Sequence, residues 1–169
     1  MFDPAAILEK AKTSTRYLKL LNFALGKKIP FNRPHGFRVV ALTDRSVKVL
    51  IPYKRVNFNH IRGLHACGLA TISEFATGMV LLNTLDPNEY RIIMQRMEMD
   101  YHHQGKMNAY AYFQLTDEWL EQEVINPLKE KDSVVVKCEV KIHDAQDNHL
   151  TTGQIYWQVK NWSKVKTKA

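Results

Sequence analysis

What this chain of 169 residues has little of narrows it first. It has two cysteines, Cys67 and Cys138, far apart and outside any CxxC spacing. That excludes a disulfide scaffold and a cysteine-rich zinc site, and predicts reduced thiols in a cytosolic compartment. Long apolar runs are missing too. The longest, Gly78-Met79-Val80-Leu81-Leu82, is far below the ~20 residues that cross a bilayer, so a soluble protein without a transmembrane segment is expected. The opening residues lack a basic stretch followed by a long apolar one, so no secretory signal is expected. Repeats and low-complexity segments are absent. Acids are scarce at the front, where residues 1–62 carry 3 of them against 13 basic side chains.

What is present looks globular. Apolar residues make up 45% and charged residues 24%, an ordinary balance for a chain with a real core. We expect one domain over 1–169, with a helix and loop over 1–37 leading a core over 38–169. The net charge is +7, but residues 63–159 alone carry −7, so the basic front and tail flank an acidic body. Basic charge by itself suggests nucleic acid, yet no nucleic-acid motif accompanies it.

Periodicity places the elements. Pro4 to Leu25 reads as one helix, capped by Asp3, with Ile7, Ala11, Leu18, Leu21 and Leu25 at near-helical spacing and Gly26 as its stop. Residues 26–37 read as a loop. Arg38 to Tyr53 reads as a hairpin turning at Asp44-Arg45-Ser46, and 54–64 as a second loop. His65 to Leu82 is apolar nearly all round, which predicts a helix buried on every side, interrupted by the single charge of Glu74. Strands follow at Tyr90–Tyr101, Met107–Leu115, Ser133–Asp144 and Leu150–Trp162, with a short amphipathic helix over Asp117–Lys129 capped by Thr116 or Asp117. This order predicts an α+β fold, an antiparallel sheet wrapped round one long buried helix, which is the hotdog architecture.

The chemistry concentrates at the start of that helix. Amides of residues 66–68 would lie in its first turn, without intrahelical acceptors and at the positive end of the helix dipole. Such donors can stabilise the oxyanion of a tetrahedral intermediate. Glu74, a carboxylate on an apolar helix, should have a raised pKa and could serve as general base or nucleophile. At ~100° per residue it stands about half a turn round from His65, so one helix cannot aim both at one atom. Plain structural roles compete: Glu74 in a buried ion pair, His65 as helix cap, Asn59 as turn former. Tyr110, Tyr112, Trp157 and Trp162 read as sheet packing, and His60, His102 and His103 as loop residues without metal spacing.

The run Asn59-His60-Ile61-Arg62-Gly63-Leu64-His65-Ala66-Cys67-Gly68, followed by Glu74, resembles the hotdog-fold acyl-CoA thioesterases of the phenylacetate-pathway type. It is more similar still to a branch of that superfamily known only as a domain of unknown function. The shared pattern is an Asn, a His six residues on, and an acid nine residues after that, here Asn59, His65 and Glu74. Weaker matches are Leu21-Asn22-Phe23, Phe37-Arg38-Val39, and Asp100-Tyr101 before Gly105-Lys106. One position departs: Cys67 stands where the family usually has Gly. The resemblance implies hydrolysis of an acyl-CoA in a homodimer, or a dimer of dimers, with the helix acid acting across the interface. It implies Glu74, Asn59 and His65 as catalytic residues, contacts to the thioester near Cys67 and Gly68, and neither metal nor cofactor. Lys54, Arg55 and Arg62 are candidates for the CoA phosphates. The His-containing motifs of hotdog dehydratases and hydratases are not present. Two alternatives remain open: a non-catalytic acyl-CoA or fatty-acyl binding protein, and a membrane-surface protein using the basic leading helix with Phe2, Ile7, Leu18, Leu21 and Phe23.

Overall fold

The computed structural model describes residues 4–166. The predicted Asp3 cap, Phe2 and the end of the lysine tail lie outside them. The chain opens with two helices rather than one, α1 (Pro4–Ala11) and α2 (Thr15–Lys28). The break falls in Lys12-Thr13-Ser14, where hydroxyl residues favour turns and caps over helix interiors. Doubled back on each other, the two helices bury Ile7, Ala11 and Leu21 in the one core. Helix α2 runs past Gly26 to Lys28. A short α3 (Asn32–His35) replaces the expected loop, ended by Gly36 in the left-handed conformation at φ 68°.

A hairpin follows, β1 (Arg38–Leu42) and β2 (Ser46–Ile51), and then a loop with one 3₁₀ turn at Arg55–Asn57. The long helix α4 (Ala66–Thr84) comes next, then β3 (Tyr90–Tyr101), β4 (Ala109–Gln114), a helical segment, β5 (Ser133–Asp144) and β6 (His149–Asn161). That segment consists of α5 (Asp117–Leu120), a wide π turn (Glu121–Ile125) and α6 (Asn126–Glu130). Thr116 caps it, its side chain accepting from the Trp119 amide.

The six strands form one antiparallel sheet in the order β1-β2-β4-β5-β6-β3. Alternation sets the faces. Val134, Val136, Cys138, Val140 and Ile142 are buried, while Lys137, Glu139 and Lys141 face outward. The concave face curls round α4. On length and composition alone α4 could cross a membrane. Here its apolar side chains, from Leu69 through Leu81, fill the sheet instead. Gly78 lets the Trp157 ring lie on the helix backbone; a Cβ there would meet the ring at 2.9 Å. The Trp157 indole N–H donates to the Thr77 hydroxyl at 2.9 Å, fixing the roll of α4 on β6.

The two sheet edges differ. On β1, the Asn22 side chain donates to the Val39 carbonyl and accepts from the Val39 amide, both at 2.8 Å, as a strand would. On β3, no strand among the described residues pairs the outer edge, and Ile93 and Met94 are exposed there.

Candidate functional site at the start of the core helix

The loop leading into α4 is held by a residue the sequence did not single out. Asn57 is 2% exposed. Its side-chain amide donates to the carbonyls of His35 and Pro52, each at 2.9 Å, and its Oδ1 takes a hydrogen bond from His35 Nδ1. Its own carbonyl accepts from the His65 amide at 2.8 Å. Nothing in the local pattern Asn57-Phe58-Asn59 marks the first Asn over the second; only the tertiary fold buries it.

Asn59 closes a turn. Its Oδ1 accepts from the amides of Ile61 and Gly63 at 3.1 and 2.8 Å, and Arg62 takes φ 60° inside the turn. Its side-chain NH₂ has no partner among the described residues. His65 is the N-cap of α4: its Nδ1 accepts from the Cys67 amide at 3.1 Å. This changes the expected set of free amides. Cys67 N–H is taken by the His65 ring, and Gly68 N–H reaches back to the His65 carbonyl at 2.9 Å. Ala66 N–H is the first-turn amide left without an acceptor among the described residues.

Helix α4 is not buried on every side, as its composition had predicted. Ala66 and Cys67 are exposed, and Ala70, Thr71 and Glu74 are half-buried. At ~100° per residue these five fall within one arc of roughly 140°, with Glu74 near its middle. The sheet leaves this arc open, and a cavity lies on each side of it. One, about 230 Å³, is lined by Phe31, Phe37, Val56, His65, Cys67 and Thr71 among others. The second, about 310 Å³, is lined by Asn59, Ala66, Leu69, Tyr101 and His102 among others. Tyr101 ties the end of β3 to the helix start, its hydroxyl donating to the Ala66 carbonyl at 3.2 Å.

Glu74 lines neither cavity. Its carboxylate has no hydrogen bond or ion pair among the described residues, so the competing role in a buried ion pair is set aside. Burial pushes its carboxyl above the ordinary range. Within one chain the three residues of the motif are therefore split: Asn59 at one cavity, His65 at the other, Glu74 between. The proposed phosphate contacts are split as well. Lys54 and Arg55 come just before Val56, which lines the first cavity, and the Lys54 ammonium donates to the Pro34 carbonyl at 2.9 Å; Arg62 sits in the turn beside the second.

Cys67 and Cys138 are both free. Cys67 is exposed, while burial pushes the Cys138 thiol up to about 12. His102 packs on His149 and His149 on His143, ring centroids 4.5 and 4.9 Å apart, a stack that sequence spacing did not reveal. Burial lowers His149, and its two histidine neighbours add to the shift. No group of three or more metal-ligating side chains converges among the described residues.

Residues 18–159 match the family model described as Domain of unknown function (DUF4442). The chain belongs to this family. Solved structures share the DUF4442 chain's hotdog fold. A Pseudomonas aeruginosa protein of unknown function, described as a probable thioesterase, is 22% identical, with 85% of this chain and 95% of that chain covered and a TM-score of 0.78. A Chlorobaculum tepidum protein of unknown function is 15% identical over 89% and 98% of the two chains, with a TM-score of 0.71. A Haemophilus influenzae thioesterase is 12% identical over 89% and 94%, with a TM-score of 0.66. No curated protein matches the chain. The family is thus DUF4442, and the fold is the hotdog fold of these structures.

Proposed function

We propose that this DUF4442 protein hydrolyses an acyl-CoA thioester. The observation that carries the reading is Glu74: an unpartnered, half-buried carboxylate in the middle of the open arc of α4. Solvating water would hold such a group more cheaply than a protein wall does, and ionisable groups buried without a partner concentrate at functional sites. In this reading Glu74 takes a proton from water as the water oxygen attacks the thioester carbon. The resulting oxyanion faces Ala66 N–H and the side-chain NH₂ of Asn59. Collapse expels the CoA thiolate, which takes the proton back, leaving a carboxylic acid and free CoA. His65 keeps the helix start in shape through its cap. The acyl group extends from the Ala66 end past Cys67 and Gly68 toward the cavity walled by Phe31 and Phe37. The CoA phosphates lie on the opposite side, toward Arg62 in the turn of Asn59, which leaves Lys54 and Arg55, on the acyl side, out of their reach within one chain.

The working unit in this reading is a homodimer paired along β3, the edge that Asn22 does not blunt, and two such dimers could stack as a tetramer. The protein would act in the cytoplasm, without metal or cofactor. The description of several structural neighbours as thioesterases supports the reading.

The exposed Cys67 at the usual glycine position, its amide already capped, favours a second reading: acyl-CoA binding without turnover. The test is hydrolysis of short- to long-chain acyl-CoAs by the pure protein, beside Glu74→Ala. Turnover lost in the variant supports the first reading. Saturable binding without turnover supports the second, and no binding at all defeats both.

A further inference from the structure

The apolar side of the leading helices is not available to a membrane. Leu21 is buried, and Leu18, Leu25 and Tyr17 pack against the core, while Asn22 is bonded at both ends to Val39. That fixes how α2 is rolled. It turns outward a different row, Arg16, Lys19, Phe23 and Lys27, spaced three or four residues apart along one face. Phe23 is 65% exposed, with the Lys27 ammonium over its ring at 5.9 Å. Phe31, at the head of α3, is 64% exposed. No other large apolar side chains in the described chain are as bare.

The charge round them is of one sign. Residues 10–43 contain no Asp or Glu. Arg16, Lys19, Lys27, Lys28 and Arg33 make no ion pair among the described residues. Two bare phenylalanines amid unneutralised cations carry the two components of binding to an anionic lipid surface: apolar insertion and electrostatic attraction. Nucleic acid would use the cations but not the second phenylalanine's position, because Phe31 also walls the cavity of about 230 Å³ beside α4. Docked through this face, that cavity would open beside the acyl chains of the bilayer.

We propose that the outer face of α2 and the head of α3 dock on an anionic bilayer, through Phe23 and Phe31 set among Arg16, Lys19, Lys27 and Lys28. The proposal stands apart from hydrolysis, since it needs neither Glu74 nor turnover. The test is flotation of the full chain with phosphatidylcholine vesicles, with and without about 30% phosphatidylglycerol, at low and high salt. The wild type should float with anionic vesicles only, and less so in high salt. Each of Lys19→Gln and Lys27→Gln should weaken binding roughly fivefold, and Phe23→Ser should weaken it further. Lys137→Gln and Lys141→Gln, on the outer face of the sheet, should float like wild type, and circular dichroism should show all variants folded. Turnover of dissolved acyl-CoA, if present, should be the same in Phe23→Ser as in wild type. Four results would overturn the proposal. The wild type could fail to float, or the α2 variants could float unchanged. Duplex DNA could bind in place of vesicles, or size-exclusion chromatography could show that the α2 variants change the oligomeric state.

Discussion

Thr77→Val is the sharpest probe of how the fold holds Glu74 in place. Thr77 is fully buried, and its hydroxyl accepts from the Trp157 indole N–H at 2.9 Å. The same oxygen lies 3.0 Å from the carbonyls of both Ser73 and Glu74, so it bridges β6 to the helical turn that carries Glu74. Valine keeps the shape and the β-branch but removes the acceptor. Trp157, only 6% exposed, then holds a buried N–H with no partner. Stranding such a donor costs about 1–3 kcal/mol, a fall in Tm of roughly 2–12 °C for a chain of this size. Urea unfolding followed by circular dichroism reads this directly. In a Trp157→Phe background no N–H is stranded, so Thr77→Val should cost less, with a coupling of at least about 1 kcal/mol in the double-mutant cycle. A loss below about 0.5 kcal/mol, or the same loss in both backgrounds, refutes the bridge.

Gly78→Ala should destabilise by about 1–3 kcal/mol net, although alanine gains up to about 1 kcal/mol of helix propensity. The new Cβ would lie 2.9 Å from the Trp157 ring, which Thr77 holds in place; equal or greater stability by thermal melting would show that the ring can move aside. Glu74→Gln should act in opposite directions on stability and on turnover. Burial raises the Glu74 carboxyl, so the folded state binds its proton more tightly than the unfolded chain does. Ionised Glu74 therefore costs stability at neutral pH, and the cost fades as pH falls through the folded value to the ordinary glutamate range. Gln should raise the neutral-pH melting temperature and leave it unchanged in acid, while hydrolysis drops by roughly 10²–10⁴. A lower neutral-pH melting temperature would mean that the carboxylate has a stabilising partner after all.

Much of the fold was legible in the sequence because strand alternation is local. The faces of β4 and β5 follow from which residues are apolar at spacing two, whereas β3 alternates only weakly because its register shifts between Met94 and Arg96. The break between α1 and α2 was not legible, because Ile7, Ala11 and Leu21 keep helical spacing across it. Thr13 and Ser14 permit a turn there without requiring one, and packing against distant strands bends the chain. The open arc of α4 was hidden for a related reason. Ala66, Cys67, Ala70 and Thr71 are small or apolar enough to pass as core, and the extent of the surrounding sheet decides that they are not. The motif Asn59, His65 and Glu74 was visible, but their division between two cavities is a matter of helix phase and loop path. Asn57 was invisible, since its role lies in partners from 5 to 22 residues away.

That division bears on how hydrolysis could occur. A thioester carbonyl at Ala66 N–H lies in the cavity with Asn59, while Glu74 of the same chain projects from two turns further along α4. The open β3 edge ends at Tyr101, whose hydroxyl meets the first turn of α4. Two-fold pairing of that edge would set a second copy of the chain beside this end of the helix, where a partner carboxylate could complete the site. Subunit mixing decides the matter. Asn59→Ala and Glu74→Gln are each expected to abolish turnover alone. If each site takes Asn59 from one chain and Glu74 from the other, every mixed dimer contains one site with both residues intact. Random reassortment makes half the dimers mixed, so roughly a quarter of wild-type activity should return. If both residues serve one site in one chain, no arrangement of the two variants restores a complete site. A mixture that exchanges subunits, verified by tagged copies, yet stays inactive would place the reaction within a single chain.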